Sequence, residues 1–206
     1  MKMAKKKAAS KVETVEEMLF LRTCAPGGIS HNGFLWPLEV GAVVTAPDWD
    51  PAPKCGGGLH GLKDGNGNAG LMNWSLDAIW IVFSSPFGVD LDGKWKVQTA
   101  TIRAVGDRKS VTDFLIAAKR TGVHGGTSMS GYCGTSTSGY CGTSTSGYGG
   151  TSMSGDGGTS TSGDRGTSTS GYGGTSMSGD GGTSTSGYGG TSMSGDGGTS
   201  TSGDRG

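Results

Sequence analysis

Apolar positions crowd into the first 125 residues, in short runs cut by Gly, Pro and Asp. Ala78-Ile79-Trp80-Ile81-Val82-Phe83 is apolar without a break, which predicts a central strand covered on both faces. Residues 96–105 alternate less cleanly and predict its partner, and residues 19–24 predict another core strand. Two short strands are expected at 33–37 and 42–45, with Pro37 and Gly41 between them. Residues 48–68, rich in Pro, Gly and Asp, read as an irregular surface stretch containing Cys55-Gly56-Gly57-Gly58-Leu59-His60-Gly61-Leu62. A helix follows: Ser110 and Asp113 fit a capping box, and Val111, Phe114, Leu115 and Ala118 share one face. Lys119 and Arg120 suit its C-terminal dipole, and Gly122 stops it. Residues 11–19 carry acidic and apolar positions at helical spacing, with Ser10 as a cap, so residues 1–18 form a basic, partly helical arm. The sum is a small α+β domain over residues 19–124.

At Gly126 the pattern changes completely. From there to Arg205 the chain is ten copies of Gly-Thr-Ser-(Thr/Met)-Ser-Gly-(Tyr/Asp)-(Gly/Cys/Arg), with no insertion or deletion, followed by Gly206. A period held this strictly predicts stacked repeats. Thr-Ser-(Thr/Met)-Ser favours an extended strand, because branching at Cβ stiffens threonine, and the glycines supply corners. Eight residues cannot close a coil, but two copies give a flattened sixteen-residue coil with a strand on each side. Residues 125–206 therefore predict a β-solenoid of about five coils, roughly 24 Å long at about 4.8 Å per coil. Periodicity leaves two orientations open. Either the serines face inward and Thr and Met outward, or Thr and Met are buried and the serines exposed.

The octads, most cleanly Tyr172-Gly173-Gly174-Thr175 and Tyr188-Gly189-Gly190-Thr191, resemble the repeat of bacterial ice-nucleation proteins, Gly-Tyr-Gly-Ser-Thr-x-Thr-Ala-Gly. The Thr-x-Thr element of that family is matched by Thr135 and Thr137, Thr143 and Thr145, Thr159 and Thr161, Thr167 and Thr169, Thr183 and Thr185, and Thr199 and Thr201. The resemblance implies that these threonines point outward and order water, which turns the serines inward. Serine stands here where the family has alanine, and four copies carry Met129, Met153, Met177 or Met193 in place of the second threonine. Counting copies puts Met153 on one sheet and the other three on the opposite one, so neither threonine face is continuous. The corner tyrosines Tyr132, Tyr140, Tyr148, Tyr172 and Tyr188 alternate irregularly with aspartates, which breaks any tyrosine ladder.

Composition sets a competing expectation. A segment of Gly, Ser and Thr with few apolar groups is also what a disordered chain looks like. Unbroken register and glycine at every corner favour the solenoid. Net charge is zero overall, 15 Lys/Arg against 12 Asp/Glu before residue 126 and 2 against 5 after it, which gives no nucleic-acid footprint. No apolar run is long enough to span a membrane, and Met1-Lys2-Met3-Ala4-Lys5-Lys6-Lys7 is not followed by a signal-peptide core. Four cysteines without such a signal fit a reducing cytoplasm.

Candidate chemistry is sparse. Cys24, His31, Cys55 and His60 are zinc-compatible types, but their spacing matches no tight zinc pattern, so no metal is expected. Cys55 and His60 are nucleophile and base types without a third, orienting group, so no catalytic residues and no cofactor are expected. Gly56-Gly57-Gly58 lacks the lysine and helix start of a phosphate loop and reads as a turn. Cys133 and Cys141 fall on opposite edges of a coil, too far apart for a disulfide. The corner aspartates lack the nine-residue spacing of calcium-binding β-rolls.

Phe20-Leu21-Arg22-Thr23-Cys24, Gly33-Phe34-Leu35-Trp36-Pro37 and Cys55 to Leu62 are together similar to the N-terminal domain of uncharacterised bacteriophage and prophage proteins that also carry such octads. That resemblance implies a phage-type origin, in the host cytoplasm or on the virion. The expectation is a non-enzymatic protein in which the domain caps a rigid solenoid, leaving the far edge open to self-association or a protein partner. The alternative is ice binding through the Thr-x-Thr faces, and a polysaccharide is a further repetitive partner for spaced hydroxyls.

Overall fold

The computed structural model describes residues 17–204. The basic run at 5–7 and most of the helix expected over 11–19 lie outside that span. Met18 and Leu19 within it are already extended, in β1 (Met18–Cys24).

The unbroken apolar run becomes β4 (Ile79–Ser85), third in a seven-stranded sheet. On one side it pairs antiparallel with all seven residues of β1. On the other lies β7 (Thr99–Gly106), edged by β2 (Val43–Thr45). Beyond β1 come β3 (Leu59–Lys63), β6 (Trp95–Val97) and β5 (Val89–Asp90). Continuous hydrophobicity has a direct cause, since the two faces of β4 feed two cores. Ile81 and Phe83 join Phe20, Trp36, Val97 and Ile102. Trp80 and Val82 join Leu21, Leu62, Val111, Leu115 and Val123. Each fully buried side chain of this size contributes about 1.5–3 kcal/mol.

Several local expectations are corrected. Residues 33–37 form no strand; Leu35 makes one isolated bridge to Ile29. This loop folds over the sheet as a lid, and the Trp36 ring meets Phe83 at 5.1 Å. The stretch 48–68 is not irregular throughout, because Leu59–Lys63 is β3, with Leu59 and Leu62 buried. Gly61 disguised it. A Cβ there would lie 2.8 Å from the Phe83 ring, so the glycine is the room that lets Phe20 and Phe83 stack at 5.2 Å. Residues 96–105 are two strands, because the chain changes partner at Gln98: β6 pairs with β3, and β7 with β4.

Helix α1 (Arg108–Ala117) starts earlier than expected and is capped by Asp107, whose Oδ1 accepts from the Ser110 amide at 2.8 Å. Its buried face is Val111, Thr112 and Leu115, while Phe114 is 37% exposed. Lys119, at φ 59°, ends the helix in place of Gly122, with its amide bonded to Ile116 O and that of Arg120 to Leu115 O.

The octads pair into sixteen-residue coils. Odd copies form one parallel sheet: β8 (Thr127–Met129), β10 (Thr143–Ser146), β12 (Thr159–Ser162), β14 (Thr175–Ser178) and β16 (Thr191–Ser194). Even copies form the other: β9 (Thr135–Thr137), β11 (Thr151–Met153), β13 (Thr167–Ser170), β15 (Thr183–Ser186) and β17 (Thr199–Ser202). Every residue pairs with its equivalent sixteen positions on, such as Thr167 with Thr183 and Thr183 with Thr199. The serines are inside, with Ser144, Ser152, Ser160, Ser168, Ser176 and Ser184 fully buried.

Such a thin interior leaves no space at the first glycine of each copy. A Cβ on Gly150 would sit 2.7 Å from Gly134 O and 2.8 Å from Ser146 Cβ. Some interior hydroxyls bond across the coil: Ser144 Oγ donates to Met153 O at 2.6 Å and Ser160 Oγ to Thr169 O at 2.7 Å. Others, among them Ser152 and Ser168, have no partner. Serine is thus held at some rungs for its bond and at others for its size. Ser160→Ala is expected to destabilise the solenoid by about 1 kcal/mol, whereas Ser168→Ala is expected to be neutral or stabilising. Urea unfolding followed by circular dichroism measures both.

Candidate functional site

The outer surface of the solenoid presents threonines in two columns per sheet. Thr135, Thr137, Thr143, Thr145, Thr159, Thr161, Thr167, Thr169, Thr183, Thr185, Thr199 and Thr201 are all exposed or half-exposed, while the serine between each pair is buried in every rung except the last, where Ser200 is exposed. The two faces are not equivalent. On the even sheet, β9, β13, β15 and β17 present Thr-x-Thr and only β11 substitutes Met153. On the odd sheet β8, β14 and β16 carry Met129, Met177 and Met193, leaving β10 and β12 as the intact rungs. The longest uninterrupted hydroxyl array is therefore β13-β15-β17, in parallel register at roughly 4.8 Å per rung.

The corners supply a second set of contacts. Tyr132 stacks on Tyr148 at 5.4 Å and Tyr172 on Tyr188 at 5.5 Å, so the ladder survives as two pairs. Aspartate does something different there. Asp156 Oδ1 accepts from the Tyr172 amide at 2.8 Å, and Asp180 Oδ1 from the Asp196 amide at 2.9 Å, tying each corner to the next coil. Nothing in the octad pattern signalled this clamp except the aspartate's own reach.

His124 is the junction residue that spacing did not reveal. Val123-His124-Gly125 imitates a repeat corner: Gly125 takes φ +67°, as Gly149 and Gly157 do at +65°, and its amide bonds to Tyr140 O at 2.8 Å. His124 stands in the aspartate's place, its Nδ1 accepting from the Tyr140 amide at 3.0 Å. That contact makes Nε2 the protonated nitrogen, which donates to Gly67 O at 2.9 Å inside the domain. Trp74 meets the Tyr140 ring at 5.2 Å beside it. The cap is thereby fitted to the first coil by the coil's own bonding scheme. Burial keeps His124 neutral by lowering its pKa below the usual 6.5.

Cys24, His31, Cys55 and His60 all line one groove of about 920 Å³ in the domain. They are not gathered into a metal site: among the described residues no three His, Cys, Asp or Glu side chains stand close enough to hold one. Cys24 is buried in β1, as a strand thiol, and burial raises its pKa. Cys55 is exposed, its Sγ 3.0 Å from Lys94 Nζ, and that ammonium lowers its pKa. His60 lies in a strand and not in a loop; burial and the charge of Lys94 push its pKa down to about 4. Gly56, Gly57 and Gly58 all take positive φ and form the expected turn. Cys133 and Cys141 are free thiols on the first two corners.

The repeat region is homologous to bacterial ice nucleation proteins. The chain is 33% identical over 107 residues to an ice nucleation protein of Xanthomonas campestris pv. translucens, which covers 50% of this chain and 7% of that protein. It is 32% identical over 108 residues to one of Pseudomonas syringae, covering 50% of this chain and 9% of the relative. The ice nucleation protein InaU of Pantoea ananas is 30% identical over 105 residues, 49% of this chain and 10% of its own length. The match thus spans about a tenth or less of these relatives. No protein-family profile matches the chain, and no solved structure does. The phage resemblance of the domain is not addressed by any of these matches.

His124→Ala is expected to destabilise the junction by about 1–3 kcal/mol, because the Tyr140 amide and Gly67 carbonyl both lose their partner. His124→Asn, whose oxygen can accept as Asp156 does, is expected to recover part of that loss. The pH dependence has a definite sign. With the folded pKa depressed, the unfolded chain binds the proton first, so stability is complete above pH 6.5 and falls as pH drops below it; His60 acts in the same direction. Thermal melts between pH 7 and 5 are expected to show this slope, reduced in His124→Asn.

Proposed function

We propose that the solenoid is an ice-binding surface, adsorbing to ice or ice-like water through the Thr-x-Thr rungs of the even sheet. The observation that carries this reading is the uninterrupted array of Thr167 and Thr169, Thr183 and Thr185, Thr199 and Thr201 on consecutive, in-register rungs. Parallel pairing repeats hydroxyl and methyl groups at one fixed spacing, so many weak contacts with a periodic solid add in phase. Small serines beneath, buried between the sheets, let the sheet lie close to its twin. The homology of the octads to proteins named for ice nucleation supports the same reading. The matched segment is a small fraction of those relatives, and the activity proposed for these octads is adsorption to ice and inhibition of its growth.

A second reading rests on the odd sheet. Met129 is 77% exposed, and Met177 and Met193 sit on adjacent rungs of the same column. Methionine is flexible, polarizable and suited to protein contacts, so this face fits a rigid interaction surface of the kind a phage-type repeat protein would use.

The readings separate in one experiment. Full-length protein is expected to show thermal hysteresis and to inhibit ice recrystallisation. Thr169→Glu combined with Thr185→Glu is expected to raise the concentration needed by about tenfold, the effect of ~1.4 kcal/mol. The same change at Thr145 and Thr161 on the odd sheet is expected to have a smaller effect. Absence of both activities in the unmodified protein at high concentration removes the ice-binding reading.

A further inference from the structure

The groove in the cap domain is built where two strands part. β1 and β3 pair only through Phe20–Lys63 and Leu21–Leu62, and beyond them the Arg22 side chain fills the split. Its Nη1 donates to His60 O at 3.2 Å, and its guanidinium lies 4.1 Å from the centre of the Trp36 ring. Its Nε is sealed from solvent without a hydrogen-bond partner. Among the described residues Arg22 makes no ion pair; the carboxylates that do form ion pairs, Asp50, Glu17, Asp113 and Asp64, face other cations. The nearby Cys24 thiol is held neutral by burial, so it supplies no counter-charge. A cation withdrawn from water without a counter-ion is costly, and such groups are ordinarily paired.

The rest of the lining answers to the same chemistry. Lys94 stands beside Cys55 at the groove, and Lys96 is buried behind it, its Nζ bonded to Lys54 O at 2.9 Å and Gly56 O at 3.1 Å. Those two bonds hold the loop that carries Cys55 in place. His60 Nε2 is a second sealed nitrogen without a partner. Asp48 is the carboxylate in a lining that also holds Arg22 and Lys94. Apolar surface accompanies the charge: Ile29 is 47% exposed and Leu71 53%, both on the groove wall.

We propose that this groove binds a small organic anion, a carboxylate on an apolar body, with the carboxylate received by Arg22 and Lys94 and the apolar part lying on Ile29 and Leu71. A guanidinium already oriented by a ring and a carbonyl, with Nε sealed, leaves its outer Nη N–H groups in a fixed direction to receive a carboxylate. The site is independent of the threonine faces, and its failure leaves the ice-binding reading untouched.

The probe is 4-phenylbutyrate, titrated calorimetrically into the full-length protein, with 4-phenylbutanol and inorganic phosphate as comparison arms. The expected result is one phenylbutyrate per chain, with the alcohol bound at least about tenfold more weakly. Arg22→Gln and Lys94→Ala are each expected to weaken it by about tenfold. Because Arg22→Gln also removes a packed side chain, Cys55 provides a second readout in the unmodified protein. Phenylbutyrate is expected to slow its alkylation by iodoacetamide, and phenylbutanol is not. Equal binding of acid and alcohol, no binding of either, or an unchanged affinity in folded Lys94→Ala overturns the proposal. Phosphate binding as tight as phenylbutyrate overturns its apolar half.

Discussion

The backbone ladder between coils is what the solenoid cannot do without. Each coil has almost no apolar interior to bury, so cohesion comes from amide-to-carbonyl bonds repeated every sixteen residues along both sheets and through the corners. Gly149 to Asp164, Arg165 to Asp180 and Gly181 to Asp196 carry it around the bends. Such a ladder demands that successive coils be nearly identical in shape. Glycine opens the octad because any Cβ would strike the coil beneath, and serine lines the interior because anything larger would force the two sheets apart. Sequence monotony is thus a mechanical requirement of a thin rod.

That requirement explains the cap. The first coil needs a neighbour that offers acceptors and a donor at the same positions, and the domain provides them: Val123 O and His124 Nδ1 accept, and the Gly125 amide donates. His124 does on the domain side what aspartate does between coils. The domain itself is stable on ordinary grounds, a sheet with an apolar core on each face, α1 over one and the Trp36 loop over the other. Rigid globular support at one end keeps an otherwise weakly cohesive stack in register.

How much of this was legible in the chain depends on whether the relevant signal is local. The octad phrase showed the coil length, the placement of the methionines and the break in the tyrosine column, since these follow from counting. Inward serines needed the ice-nucleation resemblance, because alternation alone is symmetric between faces. β4 was evident from its unbroken apolar run, whereas β3 was hidden by Gly61, whose role exists only beside Phe20 and Phe83. Residues 96–105 looked like one strand because alternation persists through a change of partner at Gln98. His124, the aspartate clamps and the clustering of Cys55 and His60 with Arg22 in one groove depend on contacts distant in sequence, which spacing does not encode.

Amide hydrogen exchange resolved along the octads tests the ladder most directly. The account predicts protected amides in both sheets and at the corners, recurring with the octad period and extending from the His124 junction through the interior coils. Exchange of residues 127–202 at the rates of an unstructured chain would contradict it, and would remove the ordered hydroxyl array along with the rod.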